Sequence, residues 1–297
     1  MRKGIGLLVL VVGVVGMLFG SAWGESYTNG SEGIKCGSVP PPGLYYKMFN
    51  GFVTSDKLVD TDGDEIPIGF DLTVFANVHR FVWVTKHKIL GGDYTVSCLI
   101  PIVYTDIKID AAQVDDDTVG LGDIILEPFI LAWHGSRWDS AFGFSLFVPT
   151  GAHEDPADPG EDMYTLMTTV GYTYYMDEPK TWSASILARY EMHGEQDETE
   201  VTPGDDFHFE WGIGKGLQNF WEVGLVGWFQ WQVSDDDPKP ASNDKESAYA
   251  VGPEVTKFFP AQKCQLSLKV TVDVDVDGGS DGRAETTRTF LNFTKIL

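Results

Sequence analysis

The stretch GLGDIILEPFILAWHGSRWDSAFGFSLFVPTG, residues 120–151, decides the fold class. Its apolar residues fall on alternate positions and predict one apolar face: Ile124, Leu126, Ile130, Ala132, Phe142, Phe144, Leu146 and Val148. Such alternation is typical of β-strands, because successive side chains point to opposite faces of the sheet. The other face mixes carboxylates with small and aromatic residues: Asp123, Glu127, Gly143, Ser145 and Phe147. A sheet with an apolar outside and a mixed inside suits a membrane barrel.

The connections between the strands support this interpretation. About twelve alternating segments follow residue 43, each near the 9–11 residues of a tilted transmembrane strand. Long acidic connections fall at residues 55–69, 106–119, 150–162, 194–205, 234–247 and 275–285. Short connections between them fall at residues 85–90, 134–137, 176–180, 216–220 and 259–262. We therefore predict an all-β, transmembrane antiparallel β-barrel of about 12 strands, with long acidic extracellular loops and short periplasmic turns.

The N terminus indicates export. Arg2 and Lys3 precede an apolar run that ends at Phe19, and small residues flank Trp23. This pattern predicts a secretory signal peptide over residues 1–24, cleaved before Glu25. Residues 25–42 are expected to form an irregular periplasmic lead-in, and residues 43–297 the barrel. The expected location is the outer membrane of a Gram-negative bacterium.

Composition limits the partners. The chain has 44 acidic and 21 basic residues, a formal net charge of −23. This excess disfavours nucleic acid, because phosphates require clustered Lys and Arg. The expected partners are outer-membrane lipid, lipopolysaccharide, the barrel-assembly machinery and a small-molecule solute. Three dispersed cysteines are too few for a disulfide scaffold, although one disulfide stays open.

Charged residues in mid-strand should face the lumen, because a charge facing lipid costs about 2–4 kcal/mol at mid-depth. The hypothesis is a polar constriction formed by Asp123, Glu127, Arg189, Glu191, His208, Glu210, Glu222 and Glu254. The alternative is that Arg189 only neutralises neighbouring carboxylates and that these side chains fill the interior. Phe147 and Trp228 are candidates for an aromatic lining of the lumen, provided that both point inward.

The acidic run DTDGDE, residues 60–65, has the carboxylate spacing of a calcium loop, with Asp60, Asp62 and Asp64 as ligands. The residues that follow lack the distant Glu that completes such loops, so a solvated acidic loop is the alternative. We expect no other cofactor. The sequence contains no G-x-S-x-G, H-E-x-x-H or P-loop motif, and we expect no enzymatic activity.

Several short sequence motifs follow one another in this order: GLGD at 120–123 with Pro128, FVPTG at 147–151, ARY at 188–190, PGDDFHFE at 203–210, and residues 228–232 with Asp235 and Asp236. Together they resemble the outer-membrane proteins grouped under the meta-pathway of phenol degradation. The resemblance covers nearly all of residues 43–297. It implies a barrel related to aromatic-hydrocarbon uptake channels. The larger channels of that kind carry an N-terminal plug, and about 17 residues before the first strand leave room only for a small internal segment.

The predicted function is passive uptake of small hydrophobic or aromatic compounds across the outer membrane. This prediction depends mainly on the resemblance. Two alternatives stay open. A general porin that prefers cations is the first, because rings of acidic residues favour cation passage. A surface barrel that transports nothing, and binds cations or lipopolysaccharide through its acidic loops, is the second.

Overall fold

The computed structural model describes residues 26–238, 244–279 and 282–297. The predicted signal peptide lies outside the described residues, which begin two positions after it. Fifteen strands are present in this part of the chain: β1 (Gly43–Ser55), β2 (Leu58–Val59), β3 (Phe70–Ile89), β4 (Gly92–Ile109), β5 (Val114–Leu121), β6 (Ile124–His134), β7 (Trp138–Val148), β8 (Thr165–Tyr175), β9 (Trp182–His193), β10 (Asp206–Gly216), β11 (Trp221–Gln232), β12 (Ser247–Phe259), β13 (Cys264–Asp277), β14 (Arg283–Ala284) and β15 (Thr287–Ile296). No helix in these residues is long and apolar enough to cross a bilayer.

Twelve of these strands close an antiparallel barrel. Each pairs with its neighbour in the order β1, β3, β4, β6 to β13 and β15, and β15 returns to β1. The closing register places Tyr45 opposite Ile296 and Thr54 opposite Thr287. Closure pairs the backbone groups that an open sheet edge would leave unsatisfied. The predicted fold class and strand number are confirmed.

Loop length differs between the two ends of the barrel. At one end, called the loop end, the long connections 56–69, 149–164 and 194–205 emerge. At the other, called the turn end, β3 and β4 are joined by Leu90 and Gly91 alone. The loop between β4 and β6 is partly a strand, because β4 extends to Ile109 and pairs with β5 there. β2 and β14 form a separate small sheet among the loops.

The outer face of the barrel is apolar and well exposed. Its large side chains include Trp83, Phe144, Val170, Ile186, Leu225, Leu268 and Leu291. Near the loop end, outward aromatic rings of neighbouring strands pack together: the Phe209 and Phe229 centroids are 4.7 Å apart, and those of Phe229 and Tyr249 are 4.9 Å apart. Aromatic rings in such bands suit the interface between lipid and water.

The strand that contains Pro128 changes face midway. Leu126 points outward as predicted and is 40% exposed, but Ile130 and Ala132 are buried inside. The pairing of β6 with β7 shifts between Leu126 and Phe129, which is a β-bulge. Proline cannot donate to the ladder and is tolerated at bulges, and one extra residue exchanges the two faces. The predicted outward positions of Ile130 and Ala132 are therefore wrong.

Residues 26–38, called the inner segment, lie within the barrel, which differs from the expected periplasmic lead-in. Ser38 Oγ donates to Asp139 Oδ2 at 2.9 Å near the turn end. Ser26 Oγ lies 3.3 Å from Thr165 Oγ1 near the loop end. The segment thus follows the barrel from one end towards the other. Short chains can do this because an irregular backbone finds hydrogen-bond partners on the inward side chains.

Candidate functional site

Glu32 is the centre of the contacts made by the inner segment. Its carboxylate lies 2.5 Å from Lys47 Nζ and 3.1 Å from Arg80 Nη1, and its carbonyl oxygen accepts from Lys269 Nζ. Arg80 also pairs with Glu127 at 2.6 Å. These cations come from β3, β1 and β13, which lie within four consecutive strands of the barrel. One residue therefore ties the inner segment to three strands, to two through its carboxylate and to the third through its carbonyl oxygen.

The predicted charged residues of β9 and β10 meet in the lumen. Arg189 Nη1 lies 2.7 Å from Glu210 Oε1, with both side chains almost fully buried. His208 Nε2 lies 3.2 Å from Glu191 Oε1. These pairs form because inward residues of neighbouring antiparallel strands lie beside each other. The structure thus brings four of the predicted residues together.

The inner segment completes this cluster. Tyr27 lies under the Arg189 guanidinium, with 3.8 Å from Arg189 Cζ to the ring centroid. Asn29 Oδ1 is 2.6 Å from His208 Nδ1. The backbone N–H of Glu32 donates to Glu210 Oε2 at 2.8 Å. The polar side of the lumen is therefore filled by side chains of the barrel and by the inner segment.

Glu222 and Glu254, also predicted to face the lumen, bind the same segment nearer the turn end. Lys35 Nζ lies 2.8 Å from Glu222 Oε1. Glu254 Oε2 accepts from the backbone N–H of Ile34 at 2.7 Å, and Glu254 Oε1 accepts from Ser267 Oγ at 2.7 Å. These carboxylates hold the inner segment in place.

Asp123 is buried but lies apart from the lumen cluster. Its Oδ1 accepts from the backbone N–H groups of Thr150 and Gly151, both at 2.9 Å, and its Oδ2 from that of Glu161 at 3.0 Å. Burial raises the pKa of the Asp123 carboxyl above its ordinary value, and the three amide donors oppose this shift. Its contacts are those of an anchor for the loop between β7 and β8.

The two predicted aromatic residues, Phe147 and Trp228, both point inward, but they belong to separate clusters and do not form one aromatic surface. Phe147 packs with Tyr27, Leu99 and Met167. Trp228 belongs to another cluster, with Val59 and Ala250, and the Arg288 guanidinium lies 4.3 Å from its ring centroid. Phe147 therefore belongs to the apolar side of the lumen, and Trp228 packs beneath the loops.

An apolar cavity of about 170 Å³ opens beside Phe147. Its apolar lining comes from β1, β3, β4, β6, β7 and β15: Phe49, Leu72, Val74, Leu99, Ile125, Phe147 and Phe290. Tyr27 and Ser31 of the inner segment line one side, and loop residues 153–161 contribute His153, Asp155 and Pro159 at the loop end. The cavity combines an apolar body with a polar mouth, a combination that favours small apolar ligands.

The predicted calcium loop folds on itself. Asp60 Oδ1 accepts from the backbone N–H groups of Asp62 and Asp64, each at 3.0 Å. Asp62 and Asp64 are exposed. The Asp60 oxygen is thus used in the turn. Calcium binding at these residues stays a prediction.

Sequence reasoning missed the inner segment and the cations that hold it, although glycines gave a signal. A Cβ on Gly212 would lie 2.9 Å from the carbonyl oxygen of Gly33, and one on Gly171 would lie 2.9 Å from Gly37 Cα. Glycine within a strand marks the close approach of another backbone. The three cysteines, Cys36, Cys98 and Cys264, form no disulfide with one another.

Comparison with known proteins agrees with this architecture. The model of the family described as MetA-pathway of phenol degradation matches residues 55–292. An outer membrane channel from Pseudomonas putida F1 superposes with a TM-score of 0.76 at 16% identity, covering 92% of this chain and 100% of that chain. This likeness shows a shared fold, that of an outer-membrane barrel.

Two further structures are more distant. The β-domain of the Bordetella autotransporter BrkA has a TM-score of 0.45 at 10% identity, with 86% of this chain and 99% of that chain covered. The CymD monoaromatic hydrocarbon channel has a TM-score of 0.42 at 10% identity, with 86% and 89% covered. No curated protein sequence matches the chain.

Proposed function

Since this chain belongs to the family of the MetA-pathway of phenol degradation, we propose that it is an outer-membrane channel for passive uptake of small hydrophobic or aromatic compounds. The apolar cavity beside Phe147 is the observation that carries the proposal. A solute would enter from the loop end and bind in this cavity. It would then leave past the inner segment.

The cavity has the size of one aromatic ring. An engineered cavity of about 150 Å³, lined by Leu, Ile and Phe in another protein, binds benzene. The cavity here is about 170 Å³ and is lined by the same kinds of side chain. Burial of about 200 Å² of apolar ligand surface supplies about 5 kcal/mol, which corresponds to affinities no tighter than sub-millimolar. Weak binding suits a channel, because the solute must also leave.

The general porin is less well supported, because the polar side of the lumen is occupied. Water-filled porins have wider barrels of 16–18 strands, whereas narrow barrels are filled by side chains. Here Glu32, Arg80, Arg189 and Glu210 pair with one another or with neighbours across the interior. The proposed route therefore follows the apolar side of the lumen.

Phe147 and its neighbour Phe144 provide the test. Phe147 is 3% exposed and lines the cavity, whereas Phe144 on the same strand is 38% exposed and points outward. Entry of radiolabelled toluene and of labelled glucose would be measured in proteoliposomes that contain the refolded chain and whose outer leaflet is lipopolysaccharide, with entry into chain-free vesicles subtracted. We expect Phe147→Asp to lower toluene entry several-fold, because a carboxylate in an apolar cavity repels apolar solutes.

Phe144→Ala is the control and should transport toluene as the wild type does. Both variants need the heat-dependent electrophoretic mobility that marks a folded barrel. Equal toluene entry in Phe147→Asp and the wild type would overturn the proposed route. Glucose entry as fast as toluene entry would favour the general porin.

The remaining expectations belong to the same proposal. The chain would reach the membrane after cleavage of a signal peptide and with help from the barrel-assembly machinery. Its acidic loops would meet lipopolysaccharide through divalent cations, and the transport would need neither enzymatic activity nor a cofactor. Mass spectrometry of the mature chain from the outer membrane should give Glu25 as the first residue.

A further inference from the structure

A second group of side chains lies near the loop end, away from the apolar cavity. Glu191 and His193 end β9, and Asp206 begins β10. Their potential ligand atoms all lie within 4.8 Å of one another. All three side chains are nearly inaccessible to solvent, with at most 7% exposure. The proposed transport route uses none of them.

Two carboxylate oxygens in this group are buried without a partner. Glu191 Oε2 and Asp206 Oδ1 accept no hydrogen bond from the residues that the structure describes. The other Glu191 oxygen faces His208 Nε2 at 3.2 Å. A buried, unpaired carboxylate oxygen is costly, because it has lost water and gained nothing in exchange. Two such oxygens beside one imidazole are suited to bind a cation.

The spacing of the donors fits a metal ion. His193 Nε2 and Asp206 Oδ2 are 3.2 Å apart. Two donors bound to one tetrahedral Zn²⁺ at about 2.0–2.1 Å from the metal are separated by about 3.3 Å. The geometry thus allows both atoms to bind the same ion, with Glu191 as the third ligand and water as the fourth.

Thr165 holds the imidazole in a suitable orientation. Its Oγ1 lies 3.0 Å from His193 Nδ1 and is buried. A hydroxyl that accepts from Nδ1–H leaves the lone pair on Nε2 for a metal. Histidine ligands are usually fixed in this way by a hydrogen bond from the other ring nitrogen.

The charges around this group also favour a bound cation. Arg189, a cation of the same strand β9, is paired with Glu210 at 2.7 Å. Glu191 and Asp206 supply two carboxylates, which a divalent ion suits. We propose that Glu191, His193 and Asp206 bind one divalent transition-metal ion of the Zn²⁺ class. If Nε2 carries a proton beforehand, that proton leaves to solvent when the metal binds.

Calorimetry with ZnCl₂ tests the site on the full-length refolded chain after removal of metals with a chelator. We expect one tight Zn²⁺ per chain. His193→Ala and Asp206→Asn should each weaken this binding by about 100-fold or more, because each removes or neutralises a ligand. Co²⁺, used as a coloured substitute, should give the intense visible absorption of a tetrahedral site in the wild type but not in His193→Ala or Asp206→Asn.

His153→Ala is the matched control. His153 Nε2 also lies 3.2 Å from a carboxylate, that of Asp162, but its side chain is 28% exposed. This variant should bind Zn²⁺ within twofold of the wild type. No tight binding by the wild type, or equal binding by His193→Ala, would overturn the site and assign any uptake to the acidic loops.

Thr165→Val tests the proposed Zn²⁺ site if His193→Ala does not fold. Valine keeps the volume of the buried threonine and removes only the hydroxyl. We expect one Zn²⁺ per chain with about 10–100-fold weaker affinity, the usual effect of losing such a supporting hydrogen bond. Unchanged affinity in a folded Thr165→Val chain would contradict the proposed geometry. None of these measurements depends on transport.

Discussion

At the scale of single residues, Glu32 has the greatest effect on the interior. Its carboxylate is shared by Lys47 and Arg80, and its side chain is 14% exposed. Glu32→Gln keeps the shape and removes the charge, so that Lys47 loses its ionic partner. Breaking a largely buried pair from one side costs about 3 kcal/mol. We expect a lower midpoint of urea unfolding, measured by tryptophan fluorescence in lipid vesicles.

The control for Glu32 is Glu285→Gln. Glu285 pairs with Lys57 at 3.8 Å, but both side chains are 43% exposed. Exposed pairs contribute about 0–1 kcal/mol, so this substitution should leave the midpoint nearly unchanged. A Glu32→Gln chain as stable as the wild type would mean that the inner segment is not held by this carboxylate.

The sequence predicts that each charged residue in mid-strand faces the lumen, but it does not predict which residue it pairs with. Glu210 and Arg189 had to face the lumen, since lipid excludes charge from mid-strand. Which side chain neutralises which depends on strand register, and a pattern of alternation leaves the register open. Lys35 and Glu222 come from distant parts of the chain, so no local pattern joins them.

At the scale of elements, Asp123 connects strand β6 to the loop that lines the mouth of the cavity. It accepts three backbone hydrogen bonds from Thr150, Gly151 and Glu161. Asp123→Ala leaves those amides without their acceptor, at a cost of about 1–3 kcal/mol for a buried donor. We expect the loop to open more often, and a glutamyl-specific protease to cleave after Glu154 and Glu161 several times faster.

Asp117→Ala is the control for loop opening, because Asp117 is exposed on β5 in the same acidic region. Its cleavage rate should match that of the wild type. If Asp123→Ala is cleaved no faster than Asp117→Ala, Asp123 does not anchor the loop. If Asp123→Ala is cleaved faster, toluene entry through this variant tests whether the loop limits access to the cavity.

The element that sequence reasoning placed incorrectly shows why alternation alone is insufficient. Pro128 interrupts the ladder between β6 and β7, and the bulge turns Ile130 inward. An apolar residue such as Ile130 fits either the lipid-facing or the inward face, so its identity does not reveal the change of face. The inner segment was missed for a related reason, since residues 26–38 alternate poorly and obtain their structure only from contacts with the barrel.

At the scale of the whole molecule, the negative charge lies mainly outside the lumen. Inside, Glu32, Glu210 and Glu222 have cationic partners in Lys47, Arg189 and Lys35. The loops carry acidic runs at residues 60–65, 115–117 and 235–237 without equal numbers of bases. The loops therefore attract cations to the mouth, whereas the interior itself discriminates little between cations and anions.

Occlusion by the inner segment leads to the last prediction. Cys36 Sγ lies 3.5 Å from Ser185 Oγ, so Ser185→Cys places a second thiol close enough for a tether between segment and barrel. Deleting residues 26–38 removes as many acidic as basic side chains, Glu32 and Lys35, and leaves the lumen balanced. In planar bilayers we expect the deletion variant to conduct KCl about tenfold or more above the wild type, because the polar side of the barrel then fills with water.

The oxidised Ser185→Cys chain should conduct no more than the wild type, and reduction should restore the wild-type value. Reversal potentials under a KCl gradient should show a modest preference for K⁺ that persists in the deletion variant, since the acidic loops are unchanged. A folded deletion variant that conducts no more than the wild type would mean that the strands close the lumen by themselves, and that the inner segment only stabilises the barrel.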